Sequence, residues 1–302
     1  AGCQGIIICN SSDTEMTSAI KTANDNKVYL SQFFRIIDKD KNADIYKLAT
    51  DSPYYIGAVH ENEPENGEKL VEILLNKGDR NIGLIGWEQG DATWLGRWEG
   101  YKAGVEKWNK DHPDDQAKLS EPQYAGTSSE GGSKAAEALM AADPGLDALI
   151  PAGGGGDPLQ GAIAAVERAG KTKDIDIVST DFLPDLGERL KNGSMAGESG
   201  GHYCDPLFSF MMVYNAIKGN YTGIEGKFED VQFPYLYVSS PEDYADYEKY
   251  FVDKLPYTKD ELVSMSQLSL DKLKEAASKL SIQDAMERSN GLKRTFKNQI
   301  TL

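Results

Sequence analysis

Apolar residues fall along this chain in two alternating rhythms. Gly5-Ile6-Ile7-Ile8-Cys9 is a short continuous run and reads as a buried strand. Met16, Ala19, Ile20 and Ala23 follow at spacings of three and four, one face of a helix, with Ser12 and Glu15 as a capping box ahead of it. Val28-Tyr29-Leu30 and Ile56–Val59 read as the next strands, and the polar segment from Phe33 to Tyr54 between them as a long loop with some local structure. A helix from about Asn66 to Lys77 turns Leu70, Ile73 and Leu74 inward and stops at Gly78. Strands at Ile82–Ile85, Leu146–Ile150, Ile175–Ser179 and Met195–Glu198 continue the alternation. So do helices at 92–109, 130–142, 158–169, 184–192 and 205–218, with Asp157-Pro158 opening one and Gly193 ending another. Residues 241–302 carry helical patterns without a clear strand.

Such alternation predicts an α/β fold, with one or two parallel sheets covered by helices on both faces. In sheets of this kind ligands sit beyond the C-terminal ends of the strands, so the residues just after each strand are the ones to examine. The 302 residues suffice for two domains of ordinary size. Net charge is −16, from 48 acidic and 32 basic residues, which makes nucleic acid and anionic membrane poor partners. No apolar run approaches the roughly 20 residues needed to span a bilayer. Cys3, Cys9 and Cys204 show no metal-ligand spacing, and no metal or cofactor is expected. Ala1-Gly2-Cys3 resembles the end of a bacterial lipoprotein signal, although the strand at Gly5 begins where a flexible tether usually follows. No Ser/His/Asp order, HExxH, P-loop or GxSxG occurs, so an enzyme is not expected.

Four stretches together resemble the periplasmic sugar-binding proteins of the ribose-binding class, whose core is shared with the lactose-repressor family. They are Gly5-Ile6-Ile7-Ile8 followed by Asn10-Ser11-Ser12-Asp13; Trp94-Leu95-Gly96-Arg97-Trp98-Glu99-Gly100-Tyr101; Ile177-Val178-Ser179-Thr180-Asp181-Phe182; and Val238-Ser239-Ser240-Pro241-Glu242-Asp243-Tyr244. The second carries the family's arginine, two residues, glycine, aromatic pattern; the third is its strand ending in a ligand-binding Asp. The resemblance implies two Rossmann-like lobes with parallel sheets joined by a three-crossover hinge, and here a helical C-terminal extension. The crossovers map near His60–Asn62, Ser199–His202 and Gln232–Tyr235. One lobe is then 1–60 plus 202–232; the other is 61–201 plus 233–302, with the helical tail 241–302 packed on the latter. The family opens with a further strand–helix–strand–helix unit, at about 30 or more residues per βαβ unit, which is not seen ahead of the Gly5 strand; either the chain lacks it or the sequence starts late, and the first lobe is expected to be incomplete as it stands. The implied protein is a monomeric, periplasmic or extracellular solute-binding component of an ABC-type importer, with a membrane permease as partner and a small polar ligand, a sugar, held by hinge closure. The alternative is the same fold serving as a sensor for a membrane kinase or chemoreceptor, or as the core of a transcriptional regulator.

A sugar presents hydroxyls and apolar C–H faces, which carboxylates, amides, guanidinium and aromatic rings match. Asp181 is the strongest candidate by resemblance, its competing role being a cap for helix 184–192. Arg97 corresponds to the family's ligand-binding arginine, or else pairs with a neighbouring glutamate on the helix. Trp94 lies one turn before it and is placed on the same cleft, whereas Trp87, Trp98 and Trp108 read as packing residues. Gln32 and Phe33 stand where the family often has Asp and Arg, and a shift of register brings Arg35 into play instead. Glu88 and Asp91 follow a strand, and His202 lies at the second crossover. In Gly153-Gly154-Gly155-Gly156-Asp157, Gly155 stands near the family's polar sugar contact and Asp157 is the substitute. A Gly-rich turn here can also cradle phosphate, but it lacks a P-loop's Lys-Ser/Thr.

Overall fold

A computed structural model describes residues 2–153, 158–221 and 227–291. Its elements are β1 (Gly5–Ile8), α1 (Asp13–Asn26), β2 (Tyr29–Phe33), α2 (Ala43–Thr50), β3 (Tyr55–His60), α3 (Glu63–Lys77), β4 (Asn81–Gly86), α4 (Ala92–Asp111), β5 (Lys118–Leu119), β6 (Gln123–Tyr124), α5 (Ser129–Ala142), β7 (Ala148–Pro151), α6 (Pro158–Arg168), β8 (Asp176–Thr180), α7 (Leu186–Asn192), β9 (Gly197–Gly200), α8 (Asp205–Ile217), β10 (Val231–Gln232), β11 (Leu236–Val238), α9 (Pro241–Tyr247), α10 (Lys259–Met265), α11 (Leu270–Ala277) and α12 (Ile282–Ser289). A 3-10 turn, His202–Cys204, leads into α8, and a π-helical turn, Glu248–Val252, follows α9.

The chain divides into two compact units. Among the described residues the first comprises 2–61, 201–234 and 250–291, and the second 62–200 and 235–249. The first holds a parallel sheet in the order β1-β2-β3-β10. The second holds a seven-stranded sheet, β11-β9-β8-β7-β4-β5 with β6 also on β4; only β11 runs antiparallel. Both units are therefore α/β, as the alternation of patterns implies.

Local chemistry explains where the elements begin and end. Ser12 caps α1 by accepting the Glu15 N–H, and the Glu15 carboxylate reaches back to Ser11 N–H and Oγ rather than to Ser12. Asn62 caps α3, Pro64 occupies its first turn, and Gly78 closes it at φ 109°, a left-handed conformation that suits glycine. The α3–α4 contact depends on two glycines: a Cβ on Gly67 meets Arg97 O at 2.2 Å, and one on Gly100 meets Pro64 O at 2.0 Å. The glycine of the Arg97–Gly100–Tyr101 pattern is thus a helix-packing residue. Leu70, Leu74, Ile82, Leu84, Trp94, Tyr101, Ile150 and Val178 fill the core below.

The local structure in the segment 33–54 is α2: Asn42 caps it by accepting the Ile45 N–H, and Ile45 and Ala49 bury its inner face. Two expectations change. The short strands β5, β6, β10 and β11 lie in stretches where no strand was expected. The tail does not pack on the second unit as expected; from residue 250 it returns to the first. There Asn215 of α8 donates to Met265 O, Lys274 of α11 pairs with Glu229 at 2.7 Å, and α11 lies against β10. An amphipathic helix buries its apolar face without its sequence naming the surface that receives it.

Candidate functional site

The C-terminal strand ends are taken one unit at a time. In the second unit, β4 ends at Gly86, Trp87 follows, and Asp91 caps α4 by accepting the Trp94 N–H at 2.8 Å. Glu88 is exposed beside it. Arg97, two turns into α4, is 2% exposed. Its Nε donates to Glu63 Oε2 at 2.7 Å, its Nη2 to Tyr235 OH at 3.3 Å, and Tyr235 OH donates to Glu63 Oε1 at 2.7 Å. Burial works to lower the guanidinium pKa, but the Glu63 carboxylate and Tyr235 hold it well above the usual arginine value. Arg97 also lies 5.4 Å from the Trp87 ring centre. Trp87 Nε1 is buried and makes no hydrogen bond among the described residues. Trp94 is fully buried in the core, edge-on to Tyr101 at 5.8 Å.

At the end of β8, Asp181 adopts φ 74°, a left-handed conformation uncommon for a residue with a side chain. Its backbone N–H donates to Ser199 O at 2.7 Å. Two residues on, Leu183 N–H donates to Glu198 Oε2 at 2.7 Å. Glu198 of β9 is wholly buried, and burial pushes its carboxyl up to about 8, against the pull of the Leu183 N–H. So β9 grips the Asp181 turn at two points. Gly155 and Asp157 lie outside the described residues.

In the first unit, Gln32 is 1% exposed: its Nε2 donates to Asn10 Oδ1 at 2.6 Å and its Oε1 accepts from Tyr55 OH. Phe33 is half-buried at the end of β2. Phe34, at φ 66°, sets its ring edge-on to His202 at 4.9 Å, with the Arg35 guanidinium 5.0 Å from the Phe34 ring. His202 Nδ1 stands 2.6 Å from Glu61 Oε1 and 3.7 Å from Asp205 Oδ2. A separate open hollow of about 560 Å³ is lined by His60, Asp230, Gln232, Lys274, Glu275 and Ser278, and no sequence-predicted residue borders it.

The structure thus joins Arg97 to Trp87, and Asp181 to Ser199 of β9. It places Gln32 and Trp94 in interiors and makes Asp91 a helix cap. Sequence reasoning missed Glu63, Tyr235, Glu198, Phe34, Glu61 and Asp205, each remote in the chain from the partner it meets or set in no recognisable spacing.

Residues 1–201 match the periplasmic binding protein domain model. The chain belongs to that family. Members of this periplasmic binding protein family bind substrates rather than transform them, and family membership carries an extracytoplasmic placement. Among solved structures the fold is similar to an ABC transporter solute-binding protein from Agrobacterium vitis bound with α-D-tagatopyranose (TM-score 0.63, 15% identity, 80% of this chain and 77% of that one). It is similar to one from Actinobacillus succinogenes with bound D-allose (TM-score 0.64, 16% identity, 81% and 79%). It is also similar to the arabinose-transporter component of Shewanella sp. ANA-3, bound to L-arabinofuranose (TM-score 0.60, 19% identity, 88% and 80%). At these identities the likeness is one of fold. No curated protein matches the chain. Among the described residues no helix is long and apolar enough to cross a membrane.

Proposed function

We propose that this protein is the extracytoplasmic solute-binding component of an ABC-type importer, delivering a small polar ligand, a sugar, to a membrane permease. It acts as a monomer, is tethered through Cys3 or free, and performs no turnover. Each unit contributes contacts from the C-terminal ends of its strands. The observation that carries this reading is the placement of a carboxylate and an indole at those ends in the second unit. Asp181 is held in a left-handed turn anchored by β9, and Trp87 has a buried Nε1–H that donates to nothing. A carboxylate accepts from two hydroxyls; an indole stacks on a sugar's C–H face and donates from its edge. In this reading Arg97 stiffens the Trp87 platform from behind, and His202 with Phe34 supplies the first unit's polar and apolar contacts. The solved relatives bound with tagatose, allose and arabinose support a monosaccharide.

The test is a thermal-shift panel of D-tagatose, D-allose, D-fucose, L-arabinose and D-ribose. A ligand of the native state adds about 2.7 kcal/mol at a hundredfold excess over its Kd. One or more sugars are expected to raise Tm, and Asp181→Ala and Trp87→Leu to abolish the rise. No shift across the panel, or a shift that both variants retain, removes the assignment.

A further inference from the structure

We propose that Glu61, His202 and Asp205 form a binding site for one first-row divalent metal ion, of the zinc or manganese class. This inference goes beyond the sugar reading and is tested without a sugar. All three residues belong to the first unit. Glu61 follows the last residue of β3; His202 opens the 3-10 turn before α8; Asp205 begins α8, three residues later. Their ligand atoms all lie within 4.8 Å of one another. The Glu61 and Asp205 side chains are each 1% exposed, while His202 is 22% exposed and gives the cluster its opening to solvent.

The decisive detail is the Glu61 carboxylate. Its Oε1 stands 2.6 Å from His202 Nδ1 and has no hydrogen-bond donor among the described residues. The Glu61 oxygen, the His202 imidazole nitrogen and an Asp205 carboxylate oxygen thus converge within 4.8 Å, three donor atoms of the kinds that hold a metal ion. Leaving the Glu61 oxygen unsatisfied in a dry site is costly. A cation among them is the simplest relief, with the second carboxylate of Asp205 as its third donor. One imidazole nitrogen with two carboxylate oxygens suits zinc, manganese and their neighbours, whereas magnesium and calcium favour oxygen alone. The Phe34 ring, edge-on to His202, fixes the plane of the imidazole in the manner of an outer-sphere support. No spacing in the sequence advertises the site, because Glu61 lies far from the other two in the chain.

The experiment uses the whole chain, stripped with EDTA and titrated with ZnCl2 and, separately, MnCl2 by calorimetry. One ion per chain is expected with at least one of the two metals. His202→Ala and Glu61→Gln should weaken it by on the order of 100-fold, and His60→Ala, which removes the other imidazole of the same unit, should leave it unchanged. Because the chain has three histidines, NMR of their ring protons gives a second readout in the unaltered protein: diamagnetic zinc should move the His202 resonances and leave those of His60 and His112. No binding of either ion, several weak ions per chain that survive His202→Ala, or zinc shifts on His60 and His112 alone would each overturn the proposal.

Discussion

Arg97 in the second unit and His202 in the first are both basic groups set against acids, and they are set differently. Arg97 carries a permanent charge, and its fork is met by Glu63 and Tyr235, which are hydrogen-bonded to each other as well. That cluster closes on itself. His202 carries a charge that depends on pH, two buried carboxylates face it, and the nearer Glu61 oxygen takes no hydrogen bond. The first cluster satisfies its hydrogen bonds internally; in the second a buried carboxylate oxygen lacks a donor among the described residues. Burial separates them too, since Arg97 is 2% exposed and His202 22%.

The comparison breaks most sharply at Glu63. Glu63→Ala leaves a guanidinium that is 2% exposed without its acid, and should cost about 3–5 kcal/mol in urea unfolding. A loss below about 1 kcal/mol would mean that Arg97 finds water or a new partner, and that the cluster is not closed. Glu198 extends the contrast as a buried acid with no cation hydrogen-bonded to it. Its folded-state carboxyl sits at about 8, raised by burial above the ordinary 4.5. The folded chain therefore binds more protons than the unfolded one between those values, and stability falls as pH rises through that window. Glu198→Gln should flatten this slope, leaving the variant more stable than the parent at pH 9 by on the order of 3 kcal/mol. Parallel melting curves for both proteins between pH 5 and pH 9 would contradict that. Glu61→Gln in metal-free buffer should change stability by only about 1 kcal/mol, because no hydrogen bond to Oε1 is lost. A loss as large as that of Glu63→Ala would erase the distinction between the clusters. The smallest effect is expected for Lys274→Ala. Its pair with Glu229 holds the tail at a solvent-exposed position, and its loss should cost under about 0.5 kcal/mol.

Much of the fold was legible because its signals are local. Gly78 marks the end of α3 by backbone conformation, although the helix begins at Glu63 behind the Asn62 cap and not at Asn66, and Ile82, Leu84 and Ile85 announce β4 by continuous apolarity. Helix α2 was hidden because only Ile45 and Ala49 of its eight residues are buried, too few to show a period. The site was less legible because its partners are distant in the chain. Arg97 meets Glu63 across 34 residues and Tyr235 across 138. A motif identifies the arginine and says nothing of what holds it. Trp94 and Trp87 show the same limit. Seven residues apart, one is sealed in the core and the other sits half-buried at a strand end, and only the packing of α4 on β4 decides which.

The return of the tail changes how load travels through the molecule. With residues 2–61 and 250–291 both in the first unit, the second unit is an insertion in the path of the chain. Tension applied between the two ends is borne first by the contacts of the first unit, and reaches the second only after those give way. In an optical trap the protein should therefore lengthen in a fixed order, with the first unit always releasing before the second.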